Sequence, residues 1–259
     1  MTINYKEASI YFSVEGQGSA VVLLHGFLED STMWDDLTPR LSQTHTVVAI
    51  DLLGHGKSDA LGYIHSMEAM AEAVEAVLSH LNIVNTTFIG HSMGGYVALA
   101  FAKLYTNRIQ GLCLLNSTFQ PDSEERKALR TRANKMAQQN FEAIIKMSFA
   151  NLFSAETKIQ YEKAYKKALS TALKTSLQGY MAANEGMKQR EDFSAFFALA
   201  DFKKLILLGK KDTLLDLDYI LYYAKNHGIS TSVFSEGHMS HIENKREFLA
   251  SIVAFVENT

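Results

Sequence analysis

The sequence predicts an α/β fold in which a parallel sheet is wrapped by helices and a long helical segment interrupts the alternation. Three observations predict it. Apolar runs with no polar face, such as Ala20-Val21-Val22-Leu23-Leu24 and Thr46-Val47-Val48-Ala49-Ile50, alternate with stretches of helical period. One such run, Thr86-Thr87-Phe88-Ile89, passes abruptly through Gly90-His91-Ser92-Met93-Gly94-Gly95 into an apolar helical stretch that ends at Tyr105. From Ser117 to about Phe202 the buried strands stop and charges become dense.

In chain order, Ile3 to Glu15 partly alternates and is broken by Gly16-Gln17-Gly18, which predicts two antiparallel strands at a sheet edge. The run at Ala20 predicts a strand covered on both sides, ending in the loop His25-Gly26-Phe27-Leu28. Ser31 to Leu41 predicts a helix with Trp34, Leu37 and Leu41 on one face. Thr46 to Ile50 is the next strand, closed by Asp51-Leu52-Leu53-Gly54-His55-Gly56-Lys57-Ser58. Met70, Val74, Val77, Leu78 and Leu81 give Ser66 to Leu81 an apolar helical stripe. Ile109 to Asn116 predicts another buried strand.

Asp122-Ser123-Glu124-Glu125 opens the helical segment, with Asp122 expected as N-cap. Three to five helices are expected there, because a single crossover needs only a dozen or so residues. Strands resume at Lys204 to Gly209 and at Ser230 to Phe234. Helices are expected over Leu217 to Asn226 and Asn244 to Val256. The division follows: 1–116 and 203–259 form the sheet-bearing core, and 117–202 form a helical cap.

Composition narrows the function classes. The 259 residues are 47% hydrophobic and 20% charged with net charge −3, which supplies no electrostatic reason to bind nucleic acid or an anionic membrane. The single cysteine, Cys113, lies in an apolar run and predicts a small buried hydrophobe. No apolar run reaches the length of a membrane span, the N-terminus lacks the order of a signal peptide, and a soluble cytoplasmic protein is expected. No metal site is expected, since no two histidines stand at i, i+4 on a helix. No cofactor is expected either, since Gly54-His55-Gly56-Lys57-Ser58 lacks the first glycine of a phosphate-binding loop.

The turn at Ser92 carries the chemistry. A serine between a strand and a helix is forced into an unfavourable backbone conformation, so Gly90 and Gly94 must leave it room. An acyl-transfer serine also needs a base, an acid that orients the base, and two amides for the oxyanion. In an open parallel sheet these groups gather after the carboxyl ends of strands. Asp212 follows one strand and His238 the next. The loop at His25 offers the Phe27 amide, and the residue after the serine offers the Met93 amide. Rivals exist: His241 also follows the last strand but stands near the final helix, and Asp216 and Asp218 fall in the next helix and its cap. His25, His55 and His91 are expected to hold backbone through their rings, Asp51 to brace a loop, and Trp34 to pack a helix.

On these motifs, His25-Gly26-Phe27, Asp51 to Ser58, Gly90 to Gly95, Gly209-Lys210-Lys211-Asp212 and Gly237-His238, the chain resembles the α/β-hydrolases over essentially its whole length, in particular the capped serine hydrolases of the esterase, lactonase and haloperoxidase-like group. The resemblance implies a mostly parallel eight-stranded sheet with an antiparallel second strand and a helical cap inserted after the sixth strand. It implies Ser92 as nucleophile, His238 as base and Asp212 as acid. Some relatives place the acid after the sixth strand, where this chain has Asn116; others open epoxides or displace halide with an aspartate at the elbow, where it has Ser92.

The expected reaction is hydrolysis of a small-molecule carboxylic ester, thioester or lactone through an acyl-serine. Alternatives are a carbon–carbon hydrolase or lyase that uses the triad for proton abstraction, and a receptor that keeps only the fold. Most of Met136, Phe141, Met147, Phe149, Phe153, Tyr161, Tyr165, Tyr180 and Met181 are expected to form the cap's own core. Arg126, Arg130 and Arg132 are expected on a solvated helix face, with a substrate carboxylate as the alternative partner.

Overall fold

A computed structural model of the chain describes all 259 residues, the side chain of Ala155 excepted. Eight strands form one sheet: β1 (Thr2–Tyr5), β2 (Ala8–Glu15), β3 (Ala20–Leu24), β4 (Thr46–Ile50), β5 (Thr86–His91), β6 (Ile109–Leu115), β7 (Lys203–Gly209) and β8 (Ser230–Phe234). Their spatial order is β1-β2-β4-β3-β5-β6-β7-β8. β2 runs antiparallel to both neighbours and all other pairs are parallel. Edge and centre differ as the patterns require: β2 alternates buried and half-buried residues, whereas β3 and β5 are buried throughout.

Side-chain alternation sorts the strands' residues between two cores. Val22, Leu24, Val48, Phe88 and Leu112 face α2 (Met67–His80, after the short α1 at Thr38–Leu41) and α3 (Met93–Leu104). Val21, Leu23, Val47, Ile89 and Cys113 face the opposite layer, where Trp34, Leu37, Leu41, Phe248 and Ile252 close the sheet. Burying each such Leu or Phe contributes roughly 1.5–3 kcal/mol. Cys113 is the buried hydrophobe expected, and burial pushes its thiol up. Trp34 is wholly buried as a packing residue.

Between β6 and β7 the chain forms six helices, one more than the upper expectation: α4 (Glu124–Ala137), α5 (Phe141–Ala150), α6 (Ala155–Gln160), α7 (Glu162–Ala172), α8 (Leu177–Gln189) and α9 (Ser194–Leu199). The six-residue α6 and α9 carry too few periodic residues to be separated in sequence. Ile144, Ile145, Phe149, Phe153 and Tyr180 form a third core, onto which Leu28 and Met239 pack from the sheet's loops. Phe141, Tyr165 and Met181 join it, whereas Met136 and Met147 are exposed. After β7 come α10 (Leu217–Asn226), α11 (Ser240–Glu243) and α12 (Lys245–Glu257). No helix is long and apolar enough to cross a membrane.

Two local expectations are corrected. The single helix over Ser31 to Leu41 is broken into a 3₁₀ turn at Ser31–Trp34 and α1, with Pro39 in the first turn of the latter. Proline lacks the amide that would continue the ladder and clashes with the carbonyl four residues earlier, so the helix restarts around it. The N-cap of α4 is Ser123, whose hydroxyl accepts from the Arg126 amide, and not Asp122. Asp122 is buried instead, because three arginines gather around its carboxylate.

Candidate active site

The residues singled out by sequence stand in loops at the carboxyl ends of adjacent parallel strands. Ser92 follows β5 with φ 49° and ψ −113°. The strain is imposed by crowding: a Cβ on Gly90 would stand 2.5 Å from the Gly94 carbonyl oxygen, and one on Gly94 2.2 Å from that of Leu24. Leu28, at φ 66°, and Asn116, at φ 44°, are also left-handed and follow β3 and β6, so three of the five non-glycine residues at positive φ surround one point. The Ser92 amide donates to the Leu115 carbonyl at 2.9 Å, and the Ser117 hydroxyl donates to the Ser92 carbonyl at 2.7 Å. These bonds fix the turn against β6.

Asp212 and His238 meet across the ends of β7 and β8. His238 Nδ1 lies 2.7 Å from Asp212 Oδ2 and both side chains are buried. With the proton on Nδ1, facing the carboxylate, Nε2 is left as an acceptor. Asp212 Oδ1 accepts from the Leu214 amide at 2.9 Å. Asn116, at the position where some relatives carry the acid, donates through Nδ2 to Asp212 Oδ2 at 3.1 Å and to the Gly237 carbonyl at 3.2 Å. Burial pushes the Asp212 carboxyl up, but the neighbouring His238, the Leu214 amide and Asn116 together hold it below its ordinary value.

Ser92 and His238 line one cavity of about 450 Å³ with Phe27, Tyr96, Leu152, Tyr180, Met187 and Leu214 among its apolar walls. The Ser92 hydroxyl makes no hydrogen bond among the described residues, so the structure joins His238 to Asp212 and places serine and histidine on a shared wall without a bond between them. Such contacts often close only around substrate. The Phe27 and Met93 amides likewise donate to no group among the described residues. A larger cavity of about 640 Å³, between α7 and the start of α12, does not include Ser92 or His238. Chemistry, and not size, selects the smaller one.

The rival residues take other places. Asp216 caps α10, accepting from the Tyr219 amide at 3.0 Å, and Asp218 lies in that helix's first turn. His241 faces Glu29 Oε1 at 3.6 Å, away from Asp212, and burial holds its pKa down to about 4. His25 accepts from the Leu52 amide at 2.9 Å and donates to the Gly26 carbonyl, and Asp51 accepts from the Ser31 and Lys57 amides. Both brace loops, as expected. Of the aromatic and methionine residues singled out between β6 and β7, only Tyr180 lines the cavity with Ser92.

Arg126 and Arg130 depart from expectation. They line this cavity, and only Arg132 stands exposed on the solvated face. Asp122 draws them in: its buried carboxylate meets Arg130 Nε and Arg190 Nη1, with Arg126 Nε at 3.7 Å. Arg126, Arg130 and the more deeply placed Arg190 outnumber Asp122 and the cavity-lining Glu125 by one charge, so that wall is weakly positive. Sequence reasoning also missed Glu29, a buried carboxylate beneath the site. Its signal was available, as an acid two residues beyond the His25-Gly26-Phe27 motif in a loop that had to be buried.

Comparison with known proteins shows the family. A family model described as alpha/beta hydrolase fold matches residues 19–245. The first curated relatives it matches include an uncharacterized protein of Mycobacterium tuberculosis, 40% identical over 106 residues; these cover 41% of this chain and 31% of that protein, so the chain spans about a third of its relative's length. 3-Oxoadipate enol-lactonase 1 of Acinetobacter baylyi is 23% identical over 256 residues, covering 98% of this chain and 94% of the enzyme. Among solved structures, a thermophilic esterase from Thermogutta terrifontis (malate bound) superposes with a TM-score of 0.91 at 27% identity, over 99% of this chain and 96% of the esterase. The family match spans most of the chain, and the sheet is the eight-stranded, mostly parallel one with an antiparallel second strand that the resemblance implies: the chain belongs to the α/β-hydrolase fold family.

Proposed function

We propose that this α/β-hydrolase is a serine hydrolase that cleaves a small carboxylic ester or lactone, with residues 117–202 acting as a cap over the site. The observation that carries the proposal is the Asp212–His238 pair, 2.7 Å apart, opening on the same cavity as a serine at φ 49°. Ser92 Oγ attacks the carbonyl carbon as His238 Nε2 takes its proton, and Asp212 stabilises the imidazolium that forms. The carbonyl π-electrons move to oxygen, where the Phe27 and Met93 amides receive the charge. Collapse expels the alkoxide, which takes the proton from His238. Water then attacks the acyl-serine, His238 removing its proton, and the acid is released as Ser92 regains its hydrogen.

The walls support a substrate class. An apolar body suits Phe27, Leu152, Tyr180 and Met187, and the positive wall at Arg126 and Arg130 suits an anionic group on the acid or alcohol part. The same wall would serve a carbon–carbon hydrolase or a lyase acting on an acid-bearing substrate, which keeps that reading as the second.

Fluorophosphonate labelling followed by p-nitrophenyl esters of graded length tests the proposal. Covalent labelling at Ser92, lost in Ser92→Ala and strongly reduced in His238→Ala, is the expected result. Labelling that survives Ser92→Ala overturns the nucleophile; labelling without ester turnover favours the lyase.

A further inference from the structure

A second histidine–carboxylate pair lies directly beneath the first. His91, the last residue of β5 and the neighbour of Ser92, has Nδ1 2.6 Å from Glu29 Oε2. Its Nε2 lies 3.0 Å from the backbone carbonyl oxygen of His238. Glu29 is held ionised, with its pKa lowered to about 2, so both partners accept and both ring nitrogens carry protons. The ring is thus an imidazolium, and the carboxylate that balances it is buried with it. Burial pushes the His91 pKa down, but the charge and hydrogen bond of Glu29 outweigh it and the net direction is upward. Burial likewise pushes Glu29 up, and His91 beside it reverses the sign.

The pair spans three loops. Glu29 Oε2 also accepts from the Gly26 amide at 2.8 Å, one residue before the amide expected to receive the oxyanion. His91 is covalently joined to the elbow. The His238 carbonyl belongs to the loop of the base. Gly26 has no room for a side chain because a Cβ there would stand 2.5 Å from Glu29 Oε2 and 2.7 Å from His91 Nδ1. That contact gives a physical reason for the glycine of the His25-Gly26-Phe27 motif. The groups facing His91 are Glu29 from the β3 loop, Asp212 from the β7 loop, and His238 and His241 from the last loop and α11. Asp212 is committed to His238, and His241 approaches Glu29 only to 3.6 Å. Glu29 is therefore the counter-charge.

We infer that the Glu29 carboxylate and the His91 imidazolium form a buried clamp that fixes the oxyanion loop, the elbow and the loop of His238 relative to one another, making both positioning residues. Both edge the cavity, but neither makes a hydrogen bond to the Ser92 hydroxyl or to a ring nitrogen of His238. Loss of the clamp lets the three loops shift independently, and an ångström of misplacement is costly where donors, nucleophile and base must coincide.

The test begins with ¹⁵N-histidine NMR of the protein, which needs no substrate. Both His91 ring nitrogens are expected to show the protonated signature from pH 5 to 7.5; a neutral His91 at pH 6 overturns the clamp. In Glu29→Gln, His91 should turn neutral at pH 7, and the Nδ1 proton of His238 should exchange with solvent at least about tenfold faster. On whichever ester the wild-type enzyme turns over best, kcat should fall about 10- to 100-fold with KM held within about threefold. Glu29→Asp, which keeps the charge, should retain the imidazolium and restore most of kcat. If Glu29→Gln fails to fold by circular dichroism, His91→Gln is measured in its place, with the same split between kcat and KM expected. A variant that folds, lacks the pair and keeps both the His238 proton exchange and kcat within twofold of wild type sinks the inference.

Discussion

The molecule holds two buried histidine–carboxylate pairs, and they differ in one respect. Asp212–His238 and Glu29–His91 have nearly equal separations, 2.7 and 2.6 Å. What separates them is the second ring nitrogen. In His91 it is committed to a backbone carbonyl. In His238 no group among the described residues takes it, and the ring lines the cavity beside Ser92. A histidine whose two nitrogens both face acceptors is favoured in its charged form and has no free nitrogen with which to exchange a proton. A histidine with one free nitrogen can exchange a proton, which is what a general base must do. On the roles proposed for them, the same residue pair serves as fastener or as catalyst according to what lies on its far side.

The largest expected effect comes from the proposed base. His238→Ala should lower kcat/KM for ester hydrolysis by about 10⁴-fold or more, while His241→Ala, three residues away in sequence, should cost less than tenfold. Steady-state kinetics on both variants decides it, and a reversed ranking would mean that the wrong histidine has been identified as the base.

Next comes the acid. Asp212→Asn should cost about 10³- to 10⁴-fold by removing the charge that steadies the imidazolium. Asn116 lies 3.1 Å from the same oxygen of Asp212. Adding Asn116→Asp to Asp212→Asn should therefore recover at least about tenfold by moving the charge to the end of β6. No recovery would show that the side chain at 116 cannot reach the base.

A smaller effect separates buried histidines that stay neutral from the one that stays charged. Burial holds His65 and His241 down to about 4 and His55 down to about 3. The unfolded chain takes up these protons near pH 6.5, so stability should fall as pH drops from 6.5 toward 4. His91 has the opposite sign: its raised pKa adds stability that is complete below pH 6.5 and is lost as pH rises through the folded value. Thermal melts from pH 7 to 4.5 should show the three neutral residues winning, with a steady decline in Tm; a flat profile would contradict them. Smallest of all, Arg126→Gln should raise KM about three- to fivefold for esters bearing a carboxylate and leave neutral esters unchanged.

Periodicity and spacing in the sequence determined most of the architecture. The strands from β3 to β8 were legible within a residue or two, those up to β7 because two-sided burial leaves runs without a polar face, whereas β1 and β2 were legible only as an undivided pair. Also legible were α2, α10 and the turn at Ser92, where Gly90 answers to crowding within the turn and Gly94 to the Leu24 carbonyl of β3. The helix expected at Ser31 failed where Pro39 overrode an apolar stripe. Asp122 failed as a cap because its partners, Arg130 and Arg190, lie 8 and 68 residues away in the chain. Tertiary structure decided which acid faces which histidine, that Arg126 and Arg130 turn toward the cavity, and that Glu29 reaches His91 across 62 residues of sequence. Periodicity tells which side of an element is apolar; only the convergence of distant loops tells which polar groups will be buried together, and there the partner sets the charge.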